Sequence, residues 1–176
     1  MPEGKYPEQY EGLVSLNDGR KIFIRPIKPE DGPLVEALFG KLSDRSRYLR
    51  FLQHIETLPQ DTVYRFTHID YEKELALVAI SQENGGDAMI AAARYNFFPE
   101  RNLAEFAAVV RDDYQNMGLG KALLHKIFRI GKEHGIVHFV CTIEPRNRAL
   151  RHILLGLGYT VNHISKNGAY QVEVLI

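Results

Sequence analysis

The sequence contains little that would link it to an oxidising compartment, a membrane or a nucleic acid. Its single cysteine, Cys141, allows no internal disulfide, which is typical of proteins in reducing compartments. Lysine and arginine number 22, as do aspartate and glutamate, whereas nucleic-acid-binding proteins usually carry a basic excess. No apolar run approaches the length of a membrane span, and the polar start has no apolar signal core. Composition therefore predicts a cytoplasmic globular protein that binds neither nucleic acid nor membrane.

The length and the order of periodic segments predict a single domain. With 176 residues, we expect a flexible tail over residues 1–12 and one domain over residues 13–176. Turn signals and apolar spacing predict a hairpin, three helices, a three-stranded meander over residues 75–110, and then a helix, a strand, a helix and a second hairpin at Asn167-Gly168. This order indicates an α/β (α+β) fold with a mixed, mostly antiparallel sheet.

The most informative stretch runs from Glu105, on an apolar strand, to a glycine-rich turn that begins at Gln115. Gly118 and Gly120 follow, and an amphipathic helix begins there. A strand that leads into a glycine-rich turn at a helix start is typical of an anion site, usually for phosphate, because free backbone amides and the helix dipole face the ligand. The alternative is a glycine turn without a ligand.

Two common phosphate motifs do not fit this turn. A nucleoside-triphosphate P-loop needs a glycine where Gln115 stands and a hydroxyl where Ala122 stands. A dinucleotide fingerprint needs a third glycine at the position of Leu123. The pattern that fits is Gln-x-x-Gly-x-Gly, and it resembles the coenzyme A loop of the GNAT (Gcn5-related N-acetyltransferase) superfamily.

This resemblance implies a GNAT fold of about six to seven strands and acetyl-CoA as cosubstrate, without a metal. In that family the loop amides and the helix start hold the coenzyme A pyrophosphate, and the preceding strand splays and pairs with the pantetheine arm. Carried over to this chain, the cofactor-binding residues are Val109, Val110, Arg111, Gln115, Asn116, Met117, Gly118, Leu119, Gly120, Lys121 and Asn147.

The resemblance extends to the helix that follows Asn147. It implies that Asn147 contacts the pantetheine arm or the sulfur, and the residue also fits a plain N-cap. Many members carry a tyrosine seven residues after this asparagine that protonates the departing thiolate. Here that position is Leu154, which leaves the general acid open.

Glu105 is the predicted general base. An alkylamine has a pKa of about 10.4, so a base must remove a proton before the amine attacks the thioester. Glutamate is disfavoured on a strand between Ala104 and Phe106, and apolar surroundings would raise its pKa towards the working range. Alternation places Ala107 and Val109 on the same face, and the Val109 amide is a candidate oxyanion donor. The alternative is a glutamate that faces solvent.

Three further segments, residues 24–31, 42–51 and 69–79, resemble the acetyltransferase domain of bacterial Pat-type protein lysine acetyltransferases. The resemblance implies a protein partner with a target lysine, for example an acyl-CoA synthetase. A small-molecule amine and a non-catalytic acyl-CoA sensor are the alternatives. Glu105 favours catalysis, because a sensor needs no base. The sequence does not indicate the oligomeric state.

Other polar residues have simpler explanations than chemistry. Cys141 lies in an apolar strand without an adjacent base, so we expect a structural thiol rather than an acyl-enzyme nucleophile. The charged runs could contact a substrate, or they could be a solvated loop and a plain helix face; they are Asp70, Glu72 and Glu74, and Arg45, Arg47 and Arg50.

Overall fold

The computed structural model describes residues 4–166 and 169–176, so the predicted Asn167-Gly168 turn lies outside the described residues. The strands are β1 Gly12–Ser15, β2 Lys21–Pro26, β3 Glu74–Glu83, β4 Gly86–Phe98, β5 Leu103–Val110, β6 His138–Thr142, β7 Thr160–Lys166 and β8 Ala169–Leu175. The α-helices are α1 Gly32–Lys41, α2 Asp44–Phe51, α3 Gln60–Thr67, α4 Leu119–Glu133 and α5 Arg148–Leu155. No helix among these residues is both long and apolar enough to cross a membrane.

The described strands form one sheet in the order β1-β2-β3-β4-β5-β6-β8-β7. The predicted mixed, mostly antiparallel sheet flanked by helices is confirmed, with eight strands rather than six to seven. All neighbouring pairs are antiparallel except β5 and β6. The crossover through α4 explains that exception, because a helical connection returns the chain in the same direction.

The parallel pair β5–β6 is short, and this shapes the site. Along the described residues β5 pairs with β6 only at Ala104 opposite Phe139 and Glu105 opposite Val140. By contrast, β5 pairs with β4 along its whole length, and β6 pairs with β8 along its whole length. The two halves of the sheet therefore separate after Glu105 and leave a wedge-shaped gap between them.

Helix α4 covers the sheet on both sides of this gap. Its Phe128 ring lies 5.0 Å from Phe106 of β5 and 4.8 Å from Phe139 of β6, measured between ring centroids. Gly131 allows the close approach, since a Cβ there would lie 2.5 Å from the Phe139 ring. These contacts bury the apolar face of α4 and hold the two halves of the sheet together beneath the gap.

Helices α1 to α3 lie on the face of the sheet opposite α4. Successive β5 side chains point to alternate faces, so one set contacts these helices and the other set contacts α4. The entry into α1 is fixed by Arg25, which donates two hydrogen bonds of 2.7 and 2.8 Å to Asp31. Both side chains are less than a tenth exposed. The described part of the expected tail also has contacts to the domain, because the Tyr6 ring lies edge-on to Tyr71 with centroids 5.9 Å apart.

Candidate active site

The gap between β5 and β6 opens into a cleft of about 1240 Å³. Its walls come from β5, β6, the start of α4, one face of α5, and parts of α2 and α3. The predicted site residues that line it are Glu105, Val109, Val110, Gln115, Asn116, Gly118, Gly120, Lys121 and Asn147. Three predicted residues, Arg111, Met117 and Leu119, are not among the residues that line it.

The backbone of β5 presents unpaired groups to the cleft. The Arg111 N–H donates to the Ile90 carbonyl on β4 at 2.8 Å, and the β4–β5 register is unbroken. Because backbone groups of successive strand residues point to opposite edges, Val109 also faces β4, whereas Ala108 and Val110 face the gap. The prediction of the Val109 amide as the oxyanion donor is therefore wrong, because this amide faces β4 rather than the cleft.

The turn before α4 exposes backbone amides. Asn116 and Gly118 both have left-handed φ angles, of 60° and 86°. Helix α4 begins at Leu119 without a side-chain cap and without an acid in its first turn. Its first amides therefore have no intrahelical acceptor, and the positive end of the helix dipole points into the cleft. The Leu119 side chain is buried in the core, so only its backbone can face an anion.

The two glycines of this turn serve different purposes. Gly118 needs its freedom because of its positive φ, and a Cβ there would lie 2.9 Å from Asn17 Oδ1. Gly120 has no such φ angle; a Cβ there would lie 3.3 Å from Ile153 Cδ1 and 3.5 Å from Val110 Cγ2. Gly120 therefore allows α4 to pack closely against α5 and β5, so a larger side chain would disturb the protein as well as the cleft.

Arg111 supports the turn from behind. Its guanidinium is buried and bonds both carboxylate oxygens of Glu83, at 3.0 and 2.5 Å, and both of Asp113, at 2.6 and 2.8 Å. The hydrogen bonds from Arg111 lower the pKa of Glu83 to about 2. The Arg111 guanidinium is thus paired with the carboxylates of Glu83 and Asp113, so this side chain is not available to a cofactor.

Four hydrogen bonds that the sequence did not reveal, made by Met117 and Gln115, hold the turn in place. The Met117 carbonyl accepts the Asn17 N–H at 2.9 Å, and its sulfur accepts a hydrogen bond from Arg20 at 3.1 Å, so the β1–β2 hairpin braces the turn. Gln115 donates to the Val110 carbonyl at 2.9 Å and to Ser46 Oγ at 3.2 Å. Gln115 therefore links the open edge of β5 to helix α2.

Glu105 lies at the point where the gap begins. Its side chain is 55% exposed, and its carboxylate lies 3.5 Å from an Arg101 Nη1. The apolar surroundings predicted for it are therefore wrong, because the pairing of β5 with β6 ends at Glu105 and leaves its side chain open to water. The carboxylate remains on the cleft wall, where a proton acceptor would be reached directly or through water.

Cys141 lies across the gap on β6. Burial raises the pKa of its thiol to about 12, and the nearby Glu105 carboxylate also raises it, against an opposing effect of Arg50. A thiol in this state is a weak nucleophile at neutral pH, since the thiolate is the reactive form.

Helix α5 forms the wall opposite β5. Asn147 Oδ1 accepts the Leu150 N–H at 3.1 Å, which confirms the predicted N-cap and leaves the side-chain NH₂ on the cleft side. Leu154 is fully buried and points into the core. Sequence analysis missed Arg148 and His152, which line the cleft; their spacing of four residues on one helix face is the signal that could have shown them.

In the two ranges that the structure describes, no group of three His, Cys, Asp or Glu side chains is placed to hold a metal ion. The cleft therefore offers the accessible Glu105 carboxylate, a row of free backbone amides and basic side chains near the start of α4. Such an arrangement can hold an extended ligand with phosphate at one end and present its other end to Glu105.

Comparison with known proteins agrees with this geometry. The family model described as "Acetyltransferase (GNAT) family" matches residues 44–159. Acetyltransferase PA5475 of Pseudomonas aeruginosa is 30% identical over 147 residues, which cover 84% of this chain and 79% of that protein. Acetyltransferase Pat of Mycolicibacterium smegmatis is 27% identical over 148 residues, covering 82% of this chain and 43% of that longer protein.

Solved structures show the same fold. The GNAT domain of S. lividans PAT superposes with a TM-score of 0.87 at 29% identity, covering 98% of this chain and all of that one. The yncA protein of Salmonella typhimurium, solved with its cofactor acetyl-CoA, superposes with a TM-score of 0.63 at 19% identity. The match covers 88% of this chain and 92% of that one, and at this identity it supports the fold alone. On the family match and these likenesses, the chain belongs to the acetyltransferase (GNAT) family and is an acyltransferase.

Proposed function

We propose that this protein transfers an acetyl group from acetyl-CoA to the side-chain amine of a protein lysine, with Glu105 as general base. The observation that carries the proposal is the continuous cleft from the exposed amides at the start of α4 to the accessible Glu105 carboxylate. Similarity to the Pat proteins supports a protein as the acceptor.

The chain's own groups suggest how the cosubstrate is held. The amides at the start of α4 bind the pyrophosphate, helped by Lys121 in the first helical turn. The cleft-facing amides and carbonyls of Ala108 and Val110 pair with the pantetheine arm as a further strand would. Asn147 lies on the opposite wall, and its NH₂ donates to the same arm.

The transfer is a direct displacement. Glu105 accepts a proton from the lysine ammonium, directly or through water, and the neutral amine attacks the thioester carbonyl. The new C–N bond forms, the C–S bond breaks, and the attacking nitrogen releases its second proton to water while the departing thiolate takes a proton from water. An amide on the open edge of β5 stabilises the oxyanion, and Ala108 or Val110 replaces Val109 in that role. Cys141 takes no part, because its pKa of about 12 keeps it a thiol.

The experiment is acetyl transfer from labelled acetyl-CoA to proteins of a host lysate, with Glu105→Gln beside Glu100→Gln. Glu100 is an exposed carboxylate outside the cleft, so its variant controls for loss of a surface charge. We expect Glu105→Gln to lower the rate roughly 10²–10⁴-fold. The defect shrinks as the pH rises, because more of the amine is already neutral.

Near-normal turnover of Glu105→Gln at neutral pH would remove the base from the mechanism. Labelling of polyamines or aminoglycosides without any labelled protein would replace the protein acceptor with a small molecule. Binding of acetyl-CoA without transfer to any amine would indicate an acyl-CoA sensor.

A further inference from the structure

Among the described residues, Arg50 on helix α2 is a cation that lines the cleft without an acidic partner. Throughout the described residues its guanidinium makes no hydrogen bond and no ion pair; it lies over the Phe51 ring at 4.8 Å and over the Phe66 ring at 5.6 Å from the centroids. Burial and the charge of Arg94 lower the pKa of Arg50 to about 10, so it stays protonated at neutral pH. A half-buried cation of this kind is costly unless an anion joins it.

The surroundings of Arg50 are positively charged. Arg45, Arg65, Arg94 and His68 also line the cleft, and the acids that line it are Glu74, Glu105 and Asp112. Glu74 already pairs with Arg94 at 3.1 Å, and Glu105 with Arg101 at 3.5 Å. The acids are thus partly neutralised, and the cationic excess opposes acceptors that carry several positive charges, such as polyamines.

The acidic run predicted to be either a substrate contact or a solvated loop also has internal partners. The Asp70 carboxylate accepts the backbone N–H groups of Glu72 and Glu74, both at 2.9 Å. Of this run Glu74 is the member that lines the cleft, and it is paired with Arg94, so the run places no unpaired carboxylate in the cleft wall that the structure describes. Electrostatics in the described part of the chain therefore favour an acceptor that brings a negative charge.

We propose that Arg50 binds a carboxylate that the acceptor carries close to its accepting amine. This inference rests on the proposed acetyl transfer and deepens it by naming a feature of the acceptor. Arg50 on α2 and Glu105 on β5 both line the cleft, and α2 packs against β5, so the two side chains face one cleft from neighbouring elements. An acceptor that spans the two places its amine at Glu105 and its carboxylate at Arg50.

The site is organised before the acceptor arrives. The two aromatic rings hold the guanidinium, and α2 is fixed because Asp112 accepts hydrogen bonds from Ser43 Oγ at 2.7 Å and from Ser46 Oγ at 2.9 Å. Much of the cost of removing Arg50 from water is therefore met on folding. The partial burial of Arg50 strengthens its attraction for a carboxylate compared with the same pair in water.

The carboxylate can come from an acidic residue beside a target lysine or from the acceptor's own carboxyl group, and matched acceptors separate these sources. We would measure kcat/KM for two pairs. The first is a lysine peptide with aspartate on both sides of the lysine and the same peptide with asparagine there. The second is free lysine and cadaverine, which lacks the carboxylate. We would compare wild type with Arg50→Met, Arg50→Lys and Arg65→Met. Arg65→Met is the control, because Arg65 is an exposed arginine of the same cleft.

Wild type is expected to prefer the carboxylate-bearing member of at least one pair by roughly 10- to 100-fold, the usual effect of a hydrogen bond to a charged group. A preference among peptides identifies a flanking acid, and one for free lysine identifies the acceptor's own carboxylate. Arg50→Met should lose the preference while acting normally on asparagine peptides and keeping its KM for acetyl-CoA. Arg50→Lys should keep part of the preference for the carboxylate-bearing acceptor, and Arg65→Met should keep most of it.

Equal rates of wild type on both members of both pairs would overturn the assignment, whether or not the variants fold. Arg50→Met that slows asparagine and aspartate peptides alike would also overturn it, because the side chain would then support the site in general. If acetyl-CoA binds but no amine in the set is acetylated, the proposed function itself fails. That result differs from active enzyme without preference, which refutes only the role of Arg50.

Discussion

Replacing Gly118 by alanine is the sharpest test of where coenzyme A binds. Gly118 has φ of 86° and ψ of −1° and precedes the first residue of α4. An L-residue in this region costs about 1–2 kcal/mol. The new Cβ would also lie 2.9 Å from Asn17 Oδ1, so the Asn17 side chain must move. Because the Asn17 N–H holds the Met117 carbonyl, that movement would disturb the turn itself.

Gly135→Ala is the matched control. Gly135 has nearly the same φ, 81°, but a Cβ there would meet nothing within 4 Å, and the residue does not line the cleft. Both variants should therefore lose about 1–2 kcal/mol in the free energy of unfolding, measured in urea. Only Gly118→Ala should also lose affinity for coenzyme A. Loss of a single charge-assisted hydrogen bond to phosphate is worth about 1.5–3 kcal/mol, or roughly 10- to 150-fold in Kd.

Titration calorimetry with coenzyme A decides between the two outcomes. If Gly118→Ala is destabilised like Gly135→Ala but binds coenzyme A with wild-type affinity, the turn before α4 is not the phosphate site. Gly120→Val would be a poorer test, because its side chain would collide with Ile153 and Val110 and so alter the packing of α4.

Three further predictions concern groups inside the protein. Arg111 holds the pKa of Glu83 at about 2, well below its ordinary 4.5. The stability that this ion pair contributes is therefore present above pH 4.5 and is lost as the pH falls towards 2. The free energy of unfolding in urea should depend less steeply on pH across this range in Glu83→Gln than in wild type. Cys141→Ala should retain activity, and a folded but inactive variant would contradict direct transfer. Asp31→Ala leaves Arg25 buried without its partner and should cost about 3–5 kcal/mol in unfolding free energy, whereas an unchanged urea midpoint would show that this pair is not structural.

Local features could be predicted from the sequence because their causes lie within a few residues. Asn147 caps its helix as predicted, accepting the Leu150 N–H at 3.1 Å, and Ser43 caps α2 in the same way by accepting the Ser46 N–H at 3.1 Å. The glycine turn was identified for the same reason: a positive φ needs glycine, and two glycines before an amphipathic helix leave few other arrangements. These are the features that a short stretch of chain determines alone.

Partners that are distant in sequence were not predictable in this way. Arg111 was assigned to the cofactor because it follows β5, but Glu83, 28 residues away, occupies its guanidinium. Likewise, the sequence left open whether the arginines of α2 contact a substrate or form a plain helix face, and the position of α2 beside β5 places Arg50 in the cleft. Nothing in the local pattern distinguishes Arg45 and Arg50, which line the cleft, from Arg47, which does not, since tertiary packing decides which side of the helix meets the cleft.

Glu105 was predicted from surroundings that differ from those in the structure. A glutamate on an apolar strand suggested a buried carboxylate, because glutamate is disfavoured where both faces of a strand are covered. The structure instead places it at the last pair of residues that β5 shares with β6, where the strand loses its neighbour and water enters. Glu105, a residue type that strands disfavour, therefore marks the point where the gap between β5 and β6 begins. The same separation of β5 from β6 frees the amides of Ala108 and Val110, so one break in the sheet supplies both the candidate base and the strand edge that would bind the cosubstrate.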